Sequence, residues 1–217
     1  MERPNVSKQR FLIVTLLNVL ITVVEIIGGL VSGSLALLSD AFHNLGDSIS
    51  IVLGYFAQVI SGRPENRRRT YGYRRAEILS AMANSIFLIV VSIALIVEAI
   101  KRFSHPEHIN GQIMLIVAII GLIANLVSAQ LLHSGSHDSL NVKATYLHVL
   151  SDALSSIAVI FGGVILMFFN ITWLDPTLTI LVALYIAKEA LPIIKQTLSI
   201  LMQSSPDLDY DAIKHDL

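Results

Sequence analysis

Histidine and aspartate recur at one spacing in two places, His43-x-x-x-Asp47 and His148-x-x-x-Asp152. Residues four apart on a helix share a face. Each pattern therefore presents one imidazole and one carboxylate together, and two facing helices of this kind would supply two nitrogens and two oxygens. That donor set suits tetrahedral zinc. Both patterns lie inside long apolar stretches. A charged side chain at the bilayer centre costs roughly 2.5 to 3.5 kcal/mol on insertion scales, so groups of this type within a span usually serve a function. One isolated pair is explained equally well by a hydrogen bond between helices. Two matched pairs favour a site.

The elements that carry these residues follow from composition. The chain is 54% hydrophobic and only 14% charged, against roughly 25% charged residues in an average soluble domain. Apolar runs long enough to span a bilayer, roughly 20 residues each, fall near 11–31, 35–60, 76–100, 111–132, 144–169 and 173–194. The expected fold is an all-α membrane protein, a six-transmembrane-helix bundle. The first run carries Glu25 and ends without a small-residue cleavage signal, so it reads as a retained helix. Cysteine is absent, which excludes disulfides and thiolate metal sites and argues against dedicated copper(I) chemistry.

Basic residues set the expected orientation, because cytoplasmic loops carry the Lys and Arg excess. With a cytoplasmic N-terminus the inside receives Arg3, Lys8, Arg10, Arg63, Arg67, Arg68, Arg69, Arg74, Arg75, Lys143, Lys188, Lys195 and Lys214, and the outside only Lys101 and Arg102. Both termini are then cytoplasmic and the second and fifth helices are antiparallel. His43 is expected level with Asp152, and Asp47 with His148. Residues 43–50 and 148–155 match at His, Leu, Asp and Ser, a faint internal likeness of the kind seen where repeats enclose a midplane site. Gly28, Gly29, Gly33, Gly46, Gly162 and Gly163 permit close helix contact.

The segment from Ser34 to Asp47 (SLALLSDAFHNLGD), the stretch 70–77 (TYGYRRAE) and His148 to Asp152 together resemble the cation diffusion facilitator family, zinc-transporter branch. The resemblance covers most of the chain. It implies a secondary active transporter that exports Zn²⁺ from the cytoplasm in exchange for protons by alternating access, with His43, Asp47, His148 and Asp152 as ligands between helices 2 and 5. Cd²⁺ and Co²⁺ are expected as alternative substrates. It also implies a multi-pass protein of the cell membrane, or of an organelle membrane, acting as a homodimer in the lipid bilayer. Relatives usually continue into a cytoplasmic α/β domain. Here residues 1–203 read as the transport domain, and 204–217 as the start of a C-terminal cytoplasmic segment whose α/β domain is missing or truncated.

Charge balance leads to the same mechanism. Two aspartates and one Zn²⁺ sum to zero, whereas an empty cage keeps two negative charges that protons would relieve. The competing reading is a membrane metal sensor or structural bundle that binds without transporting. A metal-dependent hydrolase is not expected, since neither HExxH nor GxSxG occurs; no nucleic-acid partner is expected either. Asp40 reads as a cavity or packing group, and Glu25 has no clear role. Glu77 reads as paired with the basic loop, and Glu98 as reaching the interface. Asn18, Asn84 and Asn125 read as interhelical hydrogen-bonding groups, Asn44 and Ser48 as supports of the site. His105, His108, His133, His137 and Asp138 read as solvated loop residues.

Overall fold

The computed structural model describes residues 8–62, 73, 75–136, 140–169 and 171–203. They form six helices: α1 Lys8–Ser32, α2 Leu35–Ser61, α3 Arg75–Ser104, α4 Gly111–Ser136, α5 Leu140–Phe168 and α6 Leu174–Leu201. At about 1.5 Å per residue each reaches beyond the roughly 30 Å of a hydrocarbon core. The expected bundle is present. Several helices outrun their apolar stretches because a helix continues until a breaker intervenes, as at Ser104, one residue short of His105-Pro106.

Five of the helices are apolar enough along their length to cross a membrane. The sixth, α2, is as long, at 27 residues, but is interrupted by Asp40, His43, Asn44 and Asp47. Burial runs opposite to that of a water-soluble fold. Leu12, Leu16, Leu20, Phe56, Phe161 and Leu181 lie exposed on the outer surface, while Glu25, Asp40, His43, Asn44, Asp152 and Asp175 are buried. Such a surface is stable against lipid.

Four helices form a ring: α4 lies along α5, and α1 packs against both α2 and α4. The fourth side, between α2 and α5, is more loosely closed, which leaves room for side chains to meet. Helices α3 and α6 pair with one another outside α2, joined through Leu88, Ile186 and Ala190. Small residues set the closest approaches. A Cβ on Gly163 would lie 3.2 Å from the backbone Cα and N of Leu115, so α5 and α4 meet nearly backbone to backbone.

The turn from α1 into α2 takes two residues. Gly33 supplies a φ of +72°, which side chains disfavour, and Ser34 Oγ accepts from Leu37 N at 3.1 Å as the N-cap of α2. Asn110 caps α4 in the same way, accepting from the amides of Gln112 and Ile113 at 3.2 and 3.1 Å. These turns and the α5–α6 connection mark the far end of the bundle; the opposite end carries the start of α1 and the end of α6. The arginine-rich stretch 63–72, Arg74, His137, Asp138 and 204–217, on which part of the orientation and domain reading rests, lie outside the described residues.

Candidate metal centre

Helices α2 and α5 run antiparallel and bring the two His-x-x-x-Asp patterns to one depth. His43 Nε2 lies 3.6 Å from Asp152 Oδ1, and His148 Nε2 lies 2.9 Å from Asp47 Oδ2, the cross-pairing expected from the sequence. Along each helix, His43 Nε2 is 3.9 Å from Asp47 Oδ2 and His148 Nε2 is 3.8 Å from Asp152 Oδ2. One ligand atom from each of the four residues falls within 4.8 Å of all the others. Zinc bonds of about 2.0 to 2.1 Å in a tetrahedron require ligand atoms about 3.3 Å apart. The observed spacings bracket that edge.

The four side chains differ in their access to solvent. His43 and Asp152 are 7% and 6% exposed, whereas Asp47 and His148 are 21% and 38% exposed. The exposed pair faces a cavity of about 350 Å³ between α1, α2, α4 and α5, whose walls include Asn18, Ser50, Asn125 and Ser128. Of its lining residues, Ser50 and Ile51 lie past Asp47 along α2 and Thr145 lies before His148 along α5, on the terminal side of the cage. Neither ring nitrogen of His43 has a hydrogen-bond partner among the described residues. A buried imidazole left unpaired is costly, and a coordinated cation would relieve it.

Around the cage, Asn44 Nδ2 donates to Glu25 Oε2 at 2.8 Å, which gives the buried glutamate its partner. Asn18 Nδ2 donates to Ser48 Oγ at 3.4 Å. Asp40 accepts from Ser155 Oγ at 2.8 Å and stands outside the four-atom cluster. Asn84 Oδ1 and Asn125 Nδ2 are buried without a partner among the described residues. Glu77 accepts from Ser61 Oγ at 2.7 Å; the basic loop expected as its partner lies outside the described residues. Glu98 pairs with Lys101 at 3.2 Å on the exposed surface. His105 and His108 are exposed, and His133 packs edge-on against Tyr146.

Two polar groups escaped the sequence reading. Tyr185 Oη donates to Glu189 Oε1 at 2.7 Å and lies 2.9 Å from Ser151 Oγ, one residue from Asp152. Asp175 is wholly buried at the start of α6. The available signal was Asp175-Pro176, an acidic residue with proline in a first helical turn.

With this geometry in view, residues 11–202 match the cation efflux transmembrane domain. The chain belongs to the cation diffusion facilitator family. It is 39% identical over 196 residues to a cadmium, cobalt and zinc/H(+)-K(+) antiporter of Bacillus velezensis, covering 89% of this chain and 63% of that protein. It is 40% identical over 193 residues to the zinc transporter ZitB of Escherichia coli, covering 88% and 62%. Against the metal cation efflux system protein CzcD of Cupriavidus metallidurans it is 37% identical over 206 residues, covering 95% and 65%. This facilitator chain thus spans 62 to 65% of the length of these curated relatives.

Proposed function

We propose that residues 1–203 form a transport domain that moves Zn²⁺ out of the cytoplasm in exchange for protons, with His43, Asp47, His148 and Asp152 as the transport-site ligands. The observation that carries this reading is the four-atom cluster itself, within 4.8 Å and with spacings that bracket a tetrahedral edge, shared between two antiparallel membrane helices and opening on one side to a cavity. Structural zinc sites are closed, whereas sites that exchange a ligand keep one side accessible. The half-exposed Asp47 and His148 therefore favour passage over a permanent structural metal. Cd²⁺ and Co²⁺ accept the same donors and are proposed as alternative substrates, in keeping with the names of the relatives.

Charge accounts for the coupling. Zn²⁺ neutralises Asp47 and Asp152, so the loaded cage crosses the low-dielectric interior without net charge. The empty cage returns with protons in place of the metal. The orientation that this requires places the cavity on the cytoplasmic side, consistent with the excess of basic residues at the terminal end. The cell membrane and a homodimer formed through membrane helices complete the proposal.

Zinc uptake into proteoliposomes under an imposed pH gradient tests it. Gradient-dependent uptake of many ions per chain, abolished by Asp47→Ala and by Asp152→Ala, is the expected result. Binding that saturates at one ion per chain with no turnover would establish the sensor or structural reading instead.

A further inference from the structure

At the far end of the bundle a carboxylate from one helix caps another. Asp175, in the first turn of α6, has no exposure to solvent. It accepts from Ser34 Oγ at 2.5 Å, from Leu35 N at 2.9 Å and from Ala36 N at 3.2 Å. Those amides belong to the opening turn of α2, whose donors have no partner within their own helix. Arg102 at the end of α3 completes the knot. Its guanidinium lies 3.9 Å from Asp175, pairs with Glu107 at 2.8 Å and donates to the Gly33 carbonyl.

This tie sits on the sealed side of the cage. His43 follows Ser34 by nine residues, about 13 Å along α2. Ala36 and Leu37 in that interval pack with Met114, Val117, Ala118 and Val159 into an apolar plug. The cavity lies on the other side of the cage. For an ion to leave toward the far end, α2 must part from α4 and α5 where the plug now joins them. Helix α6 is held to α3 along its length, and Arg102 belongs to α3 as well. An α2 that moves relative to the α3–α6 pair, against which it also packs, leaves Asp175 behind, and Arg102 remains there to keep the freed carboxylate from becoming an unpaired buried charge.

We infer that Asp175 is a positioning residue that holds α2 in the state open to the terminal end, and that its bonds to Ser34, Leu35 and Ala36 break when the cage opens to the far side. This rests on the transport reading above. The native absence of cysteine makes the test direct. A single reporter is introduced either in the plug, as Ala118→Cys, or at the cavity wall, as Ser50→Cys, each with and without Asp175→Asn. A membrane-impermeant thiol reagent is then applied to each side of membrane vesicles.

Asparagine keeps one acceptor oxygen where three donors now converge. Loss of one bond of about 1.4 kcal/mol corresponds to a tenfold shift in the equilibrium. The expected result is roughly tenfold faster modification of position 118 from the far side, with modification of position 50 from the terminal side unchanged or slower. Equal acceleration at both positions, the signature of general loosening, would overturn the inference. So would an unchanged rate at position 118. If Asp175→Asn does not insert, Ser34→Ala removes one bond of the same tie together with the N-cap bond to Leu37 N, and is judged by the same two rates. Labelling needs neither zinc nor a pH gradient, so absence of flux in the parent chain refutes the transport reading, whereas the two labelling rates alone decide the role of Asp175.

Discussion

Replacing Asp152 by asparagine separates the cage's two tasks, holding the ion and cancelling its charge. Asp152 is 5% exposed and lies within 4 Å of both histidines. Asparagine matches its volume and keeps one oxygen as a ligand, so the cage stays assembled. With neutral histidines the loaded site carries two positive charges against one aspartate and crosses with a net charge of one. A charge at mid-membrane costs about 2.5 to 3.5 kcal/mol, and each 1.4 kcal/mol is tenfold in rate. The saturated transport rate should therefore fall by about 60- to 300-fold. His43→Gln is the contrasting change, because it weakens coordination and leaves the charge balance intact. It should raise the zinc concentration needed for half-maximal transport more than it lowers the saturated rate. Stopped-flow zinc uptake into proteoliposomes across a range of zinc concentrations gives both parameters. A saturated rate for Asp152→Asn within threefold of the parent, on the order of half a kcal/mol, would refute the charge-balance argument.

Zinc affinity should weaken on acidification from pH 8 to 5.5, a window around the ordinary histidine value of about 6.5, because protons held by the empty cage must leave as metal binds; an affinity independent of pH in titration calorimetry would contradict this. His43→Asp should relax selectivity toward harder ions such as Mn²⁺, read as competition between Mn²⁺ and Zn²⁺ for uptake, and an undiminished zinc preference would show that selectivity lies outside ligand identity. Gly163→Ala forces the backbones of α5 and α4 apart and should destabilise the detergent-solubilised protein by about 1 to 3 kcal/mol. Gly54→Ala, where an added Cβ meets nothing within 4 Å, should be neutral or stabilising by up to about 1 kcal/mol. Equal melting shifts for the two would mean that the α4–α5 contact is not as close as described.

The six helices and the meeting of His43 with Asp152 and Asp47 with His148 were legible in the sequence, because both rest on short-range rules. Hydrophobic length gives a span, and a four-residue spacing gives a face. Contacts made by long-range packing were not legible. Nothing in the order of residues tells that Asp175 lies against an amide 140 positions earlier, or that Asn44 turns to Glu25 and leaves the cage to its four ligands. The cavity is likewise a product of helix separation, and no local periodicity encodes it.

The polar side chains that interrupt α2 bear on how the protein enters the membrane as well as on what it binds. Two aspartates, each disfavoured by about 2.5 to 3.5 kcal/mol near the middle of a helix, leave α2 with little tendency to partition into lipid alone. Its partner in that step is α1, joined to it by Gly33 and Ser34 alone and placed so that Glu25 meets Asn44. Insertion of the two helices as one hairpin is the expected outcome, with Asn44 and Ser48 of α2 already turned toward Glu25 and Asn18 of α1. In a translocon reporter, α2 by itself should pass through to the far side, and the α1–α2 pair should remain. Lengthening the two-residue connection with a flexible linker should separate the helices during synthesis and lower the yield of folded protein while leaving every ligand in place.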